Sequence, residues 1–119
     1  GKSGYEIDDL GKLLSQLGVE GAKDSKDIHI KTPDVANNGS MVPVSISSKI
    51  PGTEYIALIV DENPFPLVAE YHYQAGAEAY ASVRIKMRQA SAVRAVVKAN
   101  GQFYQASNQV KVTIGGCGG

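Results

Sequence analysis

From residue 28 onward, apolar and polar residues alternate along most of the chain. A period of two is that of a β-strand with one buried face, because successive side chains of a strand point to opposite sides. The alternating apolar positions are Ile28 and Ile30; Val42, Val44 and Ile46; Val83, Ile85 and Met87; Val93, Ala95 and Val97; and Val110, Val112 and Ile114. Turn residues separate these runs at short intervals, and Asn100 and Gly101 have the composition of a two-residue hairpin turn. The pattern predicts a mainly β fold built from antiparallel strands.

A segment with helical spacing precedes the strands. Its apolar residues recur three and four positions apart and are Ile7, Leu10, Leu13, Leu14 and Leu17. This spacing predicts one short amphipathic helix that ends near Gly18 and docks its apolar side onto the strands. We therefore divide the chain into a helix and polar linker at 1–27, an immunoglobulin-like β-sandwich of about seven strands at 28–114, and a C-terminal arm at 115–119.

One run of residues breaks the alternation. Tyr55 to Val60 are apolar on both faces of the predicted strand, and Tyr71 and Tyr73 follow shortly afterwards. A strand that is covered on both sides lies under the N-terminal helix or faces another protein, and the sequence leaves both open. If a partner subunit binds here, we expect it to contact a small set of side chains. These are Tyr55, Ile56, Leu58, Val60, Tyr71 and Tyr73.

The overall composition argues against several classes of partner. The 119 residues contain 12 Lys or Arg and 12 Asp or Glu, and no stretch collects the positive charge that a nucleic-acid backbone requires. The longest apolar run is far shorter than the roughly 20 residues of a membrane-spanning helix. Neither nucleic acid nor a membrane is expected to bind this chain. A single cysteine excludes an internal disulfide, so its thiol either pairs with another chain or stays free and reactive.

The sequence contains no pattern typical of a metal site or a catalytic acid pair. His29 and His72 are predicted on different strands, and neither has a second ligand at suitable spacing. Asp61 and Glu62 are adjacent at a strand end, so their side chains point to opposite sides and cannot act together on one atom. We expect no metal, no bound cofactor and no catalytic residue in this chain.

The last five residues, GGCGG, place the only cysteine, Cys117, between glycine pairs. Glycine has no Cβ and samples positive and negative φ, so Gly115, Gly116, Gly118 and Gly119 are expected to form a thin, flexible arm. Three residues from Ile114 to Cys117, at roughly 3.6 Å each, would let the sulfur reach about 10 Å beyond the fold. No cation in the arm stabilises a thiolate, so we expect a partner's pocket to activate the sulfur.

Three functions are compatible with these residues. The first is a covalent carrier whose cargo is attached to Cys117. The second is an immunoglobulin-like interaction module whose free thiol forms an intermolecular disulfide. The third is a cysteine enzyme, which is disfavoured because a catalytic thiol needs a base held rigidly beside it.

Five segments of the chain resemble the SoxY family, the sulfur carriers of bacterial thiosulfate oxidation. They are NNGSMVPVSIS at 37–47, DENPFPLVAEY at 61–71, RIKM at 84–87, VRAVVKANGQFYQA at 93–106 and VTIGGCGG at 112–119. The terminal GGCGG is the most specific of them. The resemblance implies an immunoglobulin-like fold, covalent attachment of sulfur intermediates to Cys117, and a periplasmic location that follows export by a leader absent from this chain.

The resemblance also implies a set of partners. SoxZ would be the second subunit of a heterodimer, and Cys117 could in addition link chains through a disulfide. The haem cytochrome SoxXA would join thiosulfate to Cys117 as an S-thiosulfonate, and the manganese hydrolase SoxB would release sulfate and leave a persulfide. A sulfur dehydrogenase, where present, would oxidise the remaining sulfur. The chain itself would be a substrate of these enzymes rather than an enzyme.

Overall fold

The computed structural model describes residues 3–116. A short 3-10 helix at Gly4–Glu6 precedes the α-helix α1 at Leu10–Leu17, and nine strands follow within the described residues. The strands are β1 Lys23–Asp24, β2 Ile28–Lys31, β3 Val35–Ala36, β4 Val42–Ser48, β5 Thr53–Val60, β6 Leu67–His72, β7 Ala79–Ile85, β8 Ser91–Ala99 and β9 Gln102–Val112. The predicted mainly β, immunoglobulin-like sandwich is confirmed.

The strands form two sheets. The larger sheet has the order β1-β9-β8-β5-β6, with β3 also paired to β9, and the smaller sheet has the order β2-β4-β7. The long strands pair antiparallel, whereas β1 and β3 pair parallel with β9. These two short strands were not predicted, and β1 lies within the stretch 1–27 that was predicted to contain only a helix and a polar linker. Two residues are too few for an alternating pattern, so only the pairing with β9 identifies them as strands.

The main core lies between the two sheets. It consists of the inward residues of the alternating strands, with β5 and β8 at its centre. Its fully buried members include Val42, Val44, Ile46, Ile56, Leu58, Val60, Met87, Val93, Val97 and Val110. The hairpin between β8 and β9 turns at Asn100 and Gly101 with φ values of 52° and 76°, as the predicted turn requires.

Helix α1 covers the outer face of the larger sheet. Asp9 caps its first turn by accepting a hydrogen bond from the Lys12 N–H at 2.9 Å, and Gly18 ends it with a positive φ of 74°. Leu13 is fully buried against a second cluster that contains Ala57 and Ile59 of β5. The helix therefore explains why β5 is apolar on both faces.

This packing shows that three of the six residues predicted to contact a partner are buried inside the fold. Ile56, Leu58 and Val60 are 0% exposed and belong to the core between the sheets, so their assignment to a partner surface is wrong. The sequence pattern could not tell burial in the fold from burial by a partner, because both require apolar residues on both faces. Tyr55, Tyr71 and Tyr73 are partly buried, and their role as partner contacts stays a prediction.

Residues 3–116 contain no helix with the length and apolar character needed to cross a membrane.

Candidate functional site

The chain stays attached to the fold after β9 ends at Val112. The Thr113 N–H donates to the Ala36 carbonyl oxygen at 3.0 Å, and the Thr113 hydroxyl donates to the Asn37 carbonyl oxygen at 3.2 Å. These bonds continue the parallel pairing in which Ala36 lies opposite Val112. Strand β3 therefore directs the end of β9 toward the loop at residues 37–40.

The next residues form a backbone ladder with two other segments. The Gly39 N–H donates to the Ile114 carbonyl oxygen at 2.7 Å, and the Gly116 N–H donates to the Met87 carbonyl oxygen at 2.8 Å. The Met87 N–H in turn donates to the Gly39 carbonyl oxygen at 2.6 Å. We call this arrangement the tail base: residues 113–116 together with the segments 37–40 and 86–88 that they contact.

Three glycines make the tail base sterically feasible. A Cβ on Gly39 would clash with the Met87 carbonyl oxygen, and a Cβ on Gly115 would clash with the Arg88 carbonyl oxygen. A Cβ on Gly116 would lie 2.5 Å from the Gly39 carbonyl oxygen, well inside any normal contact. The backbones approach so closely that only glycine fits without a shift.

This geometry corrects the prediction of a freely pivoting thread for Gly115 and Gly116. Both are in contact with the fold, and Gly116 is buried. The chain is therefore held against the fold as far as Gly116, two residues beyond Ile114. Cys117, Gly118 and Gly119, the remaining residues of the predicted arm, lie outside the described residues.

The family model and a solved structure that match this chain both belong to one family. The family model described as sulfur oxidation protein SoxY matches residues 15–117. The chain belongs to the SoxY family. A solved structure, the sulfur carrier protein SoxY from Chlorobium limicola f thiosulfatophilum, superposes with a TM-score of 0.78 at 33% sequence identity. The similarity covers 87% of this chain and 94% of that chain. Among curated proteins, none matches the chain.

The SoxY match takes in the tail base and Cys117. It also spans residues to which the sequence assigned no role at the tail, namely Gly39, Asn63 and Met87. Each of them falls within one of the segments that resemble the SoxY family, 37–47, 61–71 and 84–87. Those three segments are distant in sequence, and the structure brings them together at the end of β9. A single sequence does not show which distant segments are in contact, so it could not identify these residues as part of the tail base.

The remaining candidate residues lie away from the tail base or have other partners. Asp61 forms an ion pair with Arg94, with 2.6 Å between Oδ2 and Nη2, and this hydrogen bond raises the pKa of Arg94. His72 packs against the Tyr55 ring with 5.1 Å between ring centroids. His29 is exposed on β2. In the described part of the chain, no three His, Cys, Asp or Glu side chains are grouped so that they could hold a metal ion.

An open groove of about 480 Å³ runs between the edge strands β6 and β7. Phe65, Leu67 and Val83 contribute apolar walls, and Arg84 and Lys86 contribute two cations. The side chains that line this groove include no carboxylate, histidine, serine or cysteine. The groove can therefore offer positive charge and apolar surface, but its lining holds no nucleophile paired with a base.

Proposed function

We propose that this chain is a covalent sulfur carrier of thiosulfate oxidation, in which intermediates are attached to Cys117 and presented to partner enzymes. The observation that supports this most strongly is the family match, because it extends through residue 117 and so includes the only cysteine. The related Chlorobium protein is itself described as a sulfur carrier protein.

The physical properties of the tail support the same role. A carrier needs a thiol that leaves the fold at a fixed place and reaches into another protein. The tail base supplies the fixed place, since backbone hydrogen bonds hold the chain as far as Gly116. Counted from Gly116, the sulfur is one residue away, or about 3.6 Å along the chain before the side chain is added. Partner enzymes would therefore approach the surface around the tail base closely.

The chemistry that we propose for Cys117 needs an external electron acceptor, a haem cytochrome, in each of its two oxidation steps. The thiolate and thiosulfate lose two electrons to a haem cytochrome and form a disulfide-type bond, Cys–S–S–SO₃⁻. Water then attacks the terminal sulfonate sulfur in a hydrolase, which releases sulfate and two protons and leaves the persulfide Cys–S–S⁻. A sulfur dehydrogenase would then pass six electrons from this outer sulfur to a cytochrome, while three water molecules supply oxygen, giving Cys–S–SO₃⁻ and six protons. A second hydrolysis would release sulfate and two protons and restore the thiolate Cys–S⁻. In each step the chain is the substrate rather than the catalyst.

We also propose the partners and the location that the family resemblance implied. SoxZ would form the second subunit, SoxXA would load the thiol, and SoxB would hydrolyse the adduct. The mature protein would act in the periplasm, where a thiol that is not protected by a cargo is easily oxidised.

Intact mass spectrometry of the protein purified without reductant tests the proposal. A carrier is expected to show a ladder of sulfane, sulfonate or thiosulfonate adducts that a reductant removes and that peptide mapping places on Cys117. A spectrum with only the disulfide-linked dimer would instead favour an interaction module that links chains through this thiol. Turnover of thiosulfate by the isolated chain would point to a cysteine enzyme.

A further inference from the structure

Asn63 is a buried polar residue that lies beside the tail base. The residue is only 5% exposed, and both the nitrogen and the oxygen of its side-chain amide form hydrogen bonds. The Asn63 Nδ2 donates to the Lys86 carbonyl oxygen at 2.8 Å, and its Oδ1 accepts from the Arg88 N–H at 3.2 Å. The amide is thus hydrogen-bonded to the backbone on both sides of Met87.

Met87 is the residue to which Gly116, the last described residue of the tail, is hydrogen-bonded. Its carbonyl oxygen accepts the Gly116 N–H, and its N–H donates to Gly39. The pairing of β7 with β4 ends at Ile85, opposite Val42, so the sheet does not continue through residues 86–88. Asn63 supplies to Lys86 and Arg88 the hydrogen bonds that a neighbouring strand would otherwise supply.

Asn63 is itself fixed by the larger sheet. Its N–H donates to the Val60 carbonyl oxygen at 3.1 Å, in the turn that follows β5. The preceding residue, Glu62, donates its N–H to the Ser91 hydroxyl at 3.0 Å. The ion pair between Asp61 and Arg94 attaches the same turn to β8. The amide of Asn63 therefore connects the turn after β5, which is bonded to the large sheet, to the segment 86–88 that holds the tail.

We propose that Asn63 is a positioning residue for the C-terminal tail: by fixing the Met87 peptide, it keeps Gly116 docked and so fixes the backbone to which Cys117 is joined. The importance of this point for sulfur transfer rests on the function proposed above. Asn63 acts through the backbone of residues 86–88, to which its amide is hydrogen-bonded.

Hydrogen exchange of single amides, followed by NMR, tests the proposal on the full chain. The Asn63→Ala variant should speed exchange of the Gly116 and Met87 amides about tenfold or more, because a buried hydrogen-bonding network loses its partner. Amides in the centre of β8 exchange only when the whole chain unfolds, so their exchange should speed up only by the factor that corresponds to the loss of global stability. The Asn108→Ala variant is the matched control. Asn108 also donates from its side-chain amide to a distant backbone carbonyl, that of Ile30 at 2.9 Å, but it lies four residues before the end of β9.

Two results would overturn the proposal. One is unchanged Gly116 exchange in Asn63→Ala. The other is an increase at Gly116 that matches the increase at every other amide, since Asn63 would then have a structural role only. If Asn63→Ala does not fold, Asn63→Asp is measured in its place. It keeps the acceptor for Arg88 but loses the donor to Lys86, so Gly116 exchange should still rise, and wild-type protection would contradict the proposal.

A second measurement separates this inference from the proposed function. Loading of Cys117 by a thiosulfate-conjugating cytochrome, followed by intact mass, should need several-fold more cytochrome for half-maximal rate in Asn63→Ala, with the maximal rate retained. A wild-type chain that is never loaded would contradict the carrier function. It would not affect the exchange measurement at Gly116, which tests the docking of the tail without any loading reaction. An unchanged half-saturating concentration beside faster Gly116 exchange would overturn the positioning role.

Discussion

Gly39 and Gly116 bring two backbone segments closer together than side chains would permit. The sequence showed a glycine-rich tail, and the simplest prediction was flexibility for all four of its glycines. The contacts give a steric reason for two of these glycines, and they do not include the other two. Gly115 and Gly116 are needed because the backbone of residues 37–40 and 86–88 is close, whereas flexibility stays a prediction for Gly118 and Gly119.

A substitution at Gly39 tests the tail base at the scale of one residue. Gly39→Ala places a methyl group against the Met87 carbonyl oxygen, so it should lower the free energy of unfolding by about 1–3 kcal/mol. Gly11→Ala is the control and should change the free energy of unfolding much less. Gly11 is exposed in the first turn of helix α1, and a Cβ there would meet only the Asp9 side chain, 3.3 Å from its Oδ1, which can move aside more easily than backbone. Urea denaturation measures both, and a Gly39→Ala variant as stable as the wild type would contradict the close approach.

At the scale of elements, helix α1 and strand β5 depend on each other. An eight-residue helix is too short to be stable alone in water, so its stability comes from packing. Leu13, at the centre of its buried side, meets the outward residues of β5 and β8. The helix also removes an apolar sheet face from solvent, which would otherwise be a site for association.

Truncation of the helix contact should be costly. Leu13→Ala is expected to lower the free energy of unfolding by about 2–5 kcal/mol, because it removes a fully buried side chain and leaves a cavity. The neighbouring Leu14 is only partly buried, so Leu14→Ala should cost clearly less. Thermal or urea unfolding of both variants gives the comparison. Equal losses would show that α1 is not oriented as described.

The pairing of β5 with β6 has a signature at alkaline pH. Burial raises the pKa of Tyr55, and the hydrogen bond from its hydroxyl to Glu70 on β6 raises it further. The folded chain then holds the phenol proton more tightly than the unfolded chain, whose tyrosine pKa is about 10. This contribution to stability is complete below pH ~10 and is lost as the pH rises above it.

Tyr55→Phe should therefore flatten the fall in unfolding free energy above pH ~10. Glu70→Gln should flatten it in part, since the variant keeps the burial but removes the neighbouring carboxylate. Urea denaturation at several pH values between about 8 and 11 measures the slope. A slope in Tyr55→Phe equal to that of the wild type would rule out a raised pKa at this tyrosine.

At the scale of the whole molecule, local pattern predicted the long elements and long-range contact decided the rest. The alternating apolar residues and the turn at Asn100 and Gly101 were sufficient for the sandwich. They were not sufficient for β1 and β3, which consist of two residues each and exist only because β9 lies beside them. From its position alone the sequence predicts Cys117 as the reactive residue, and this stays a prediction. The docking of Gly116 was not predictable, because it depends on segments 29 and 77 residues earlier in the chain.

The central claim is that Cys117 receives sulfur intermediates from thiosulfate, and mass spectrometry of a loading reaction tests it most directly. The chain is incubated with thiosulfate and an oxidising haem cytochrome of the conjugating class, then analysed intact and after peptide fragmentation. We expect one thiosulfonate adduct per chain, located on the peptide that contains Cys117. We expect none on Cys117→Ser, although that variant should unfold at the same urea concentration as the wild type. No adduct on the wild type, or an equal adduct on Cys117→Ser, would contradict the account.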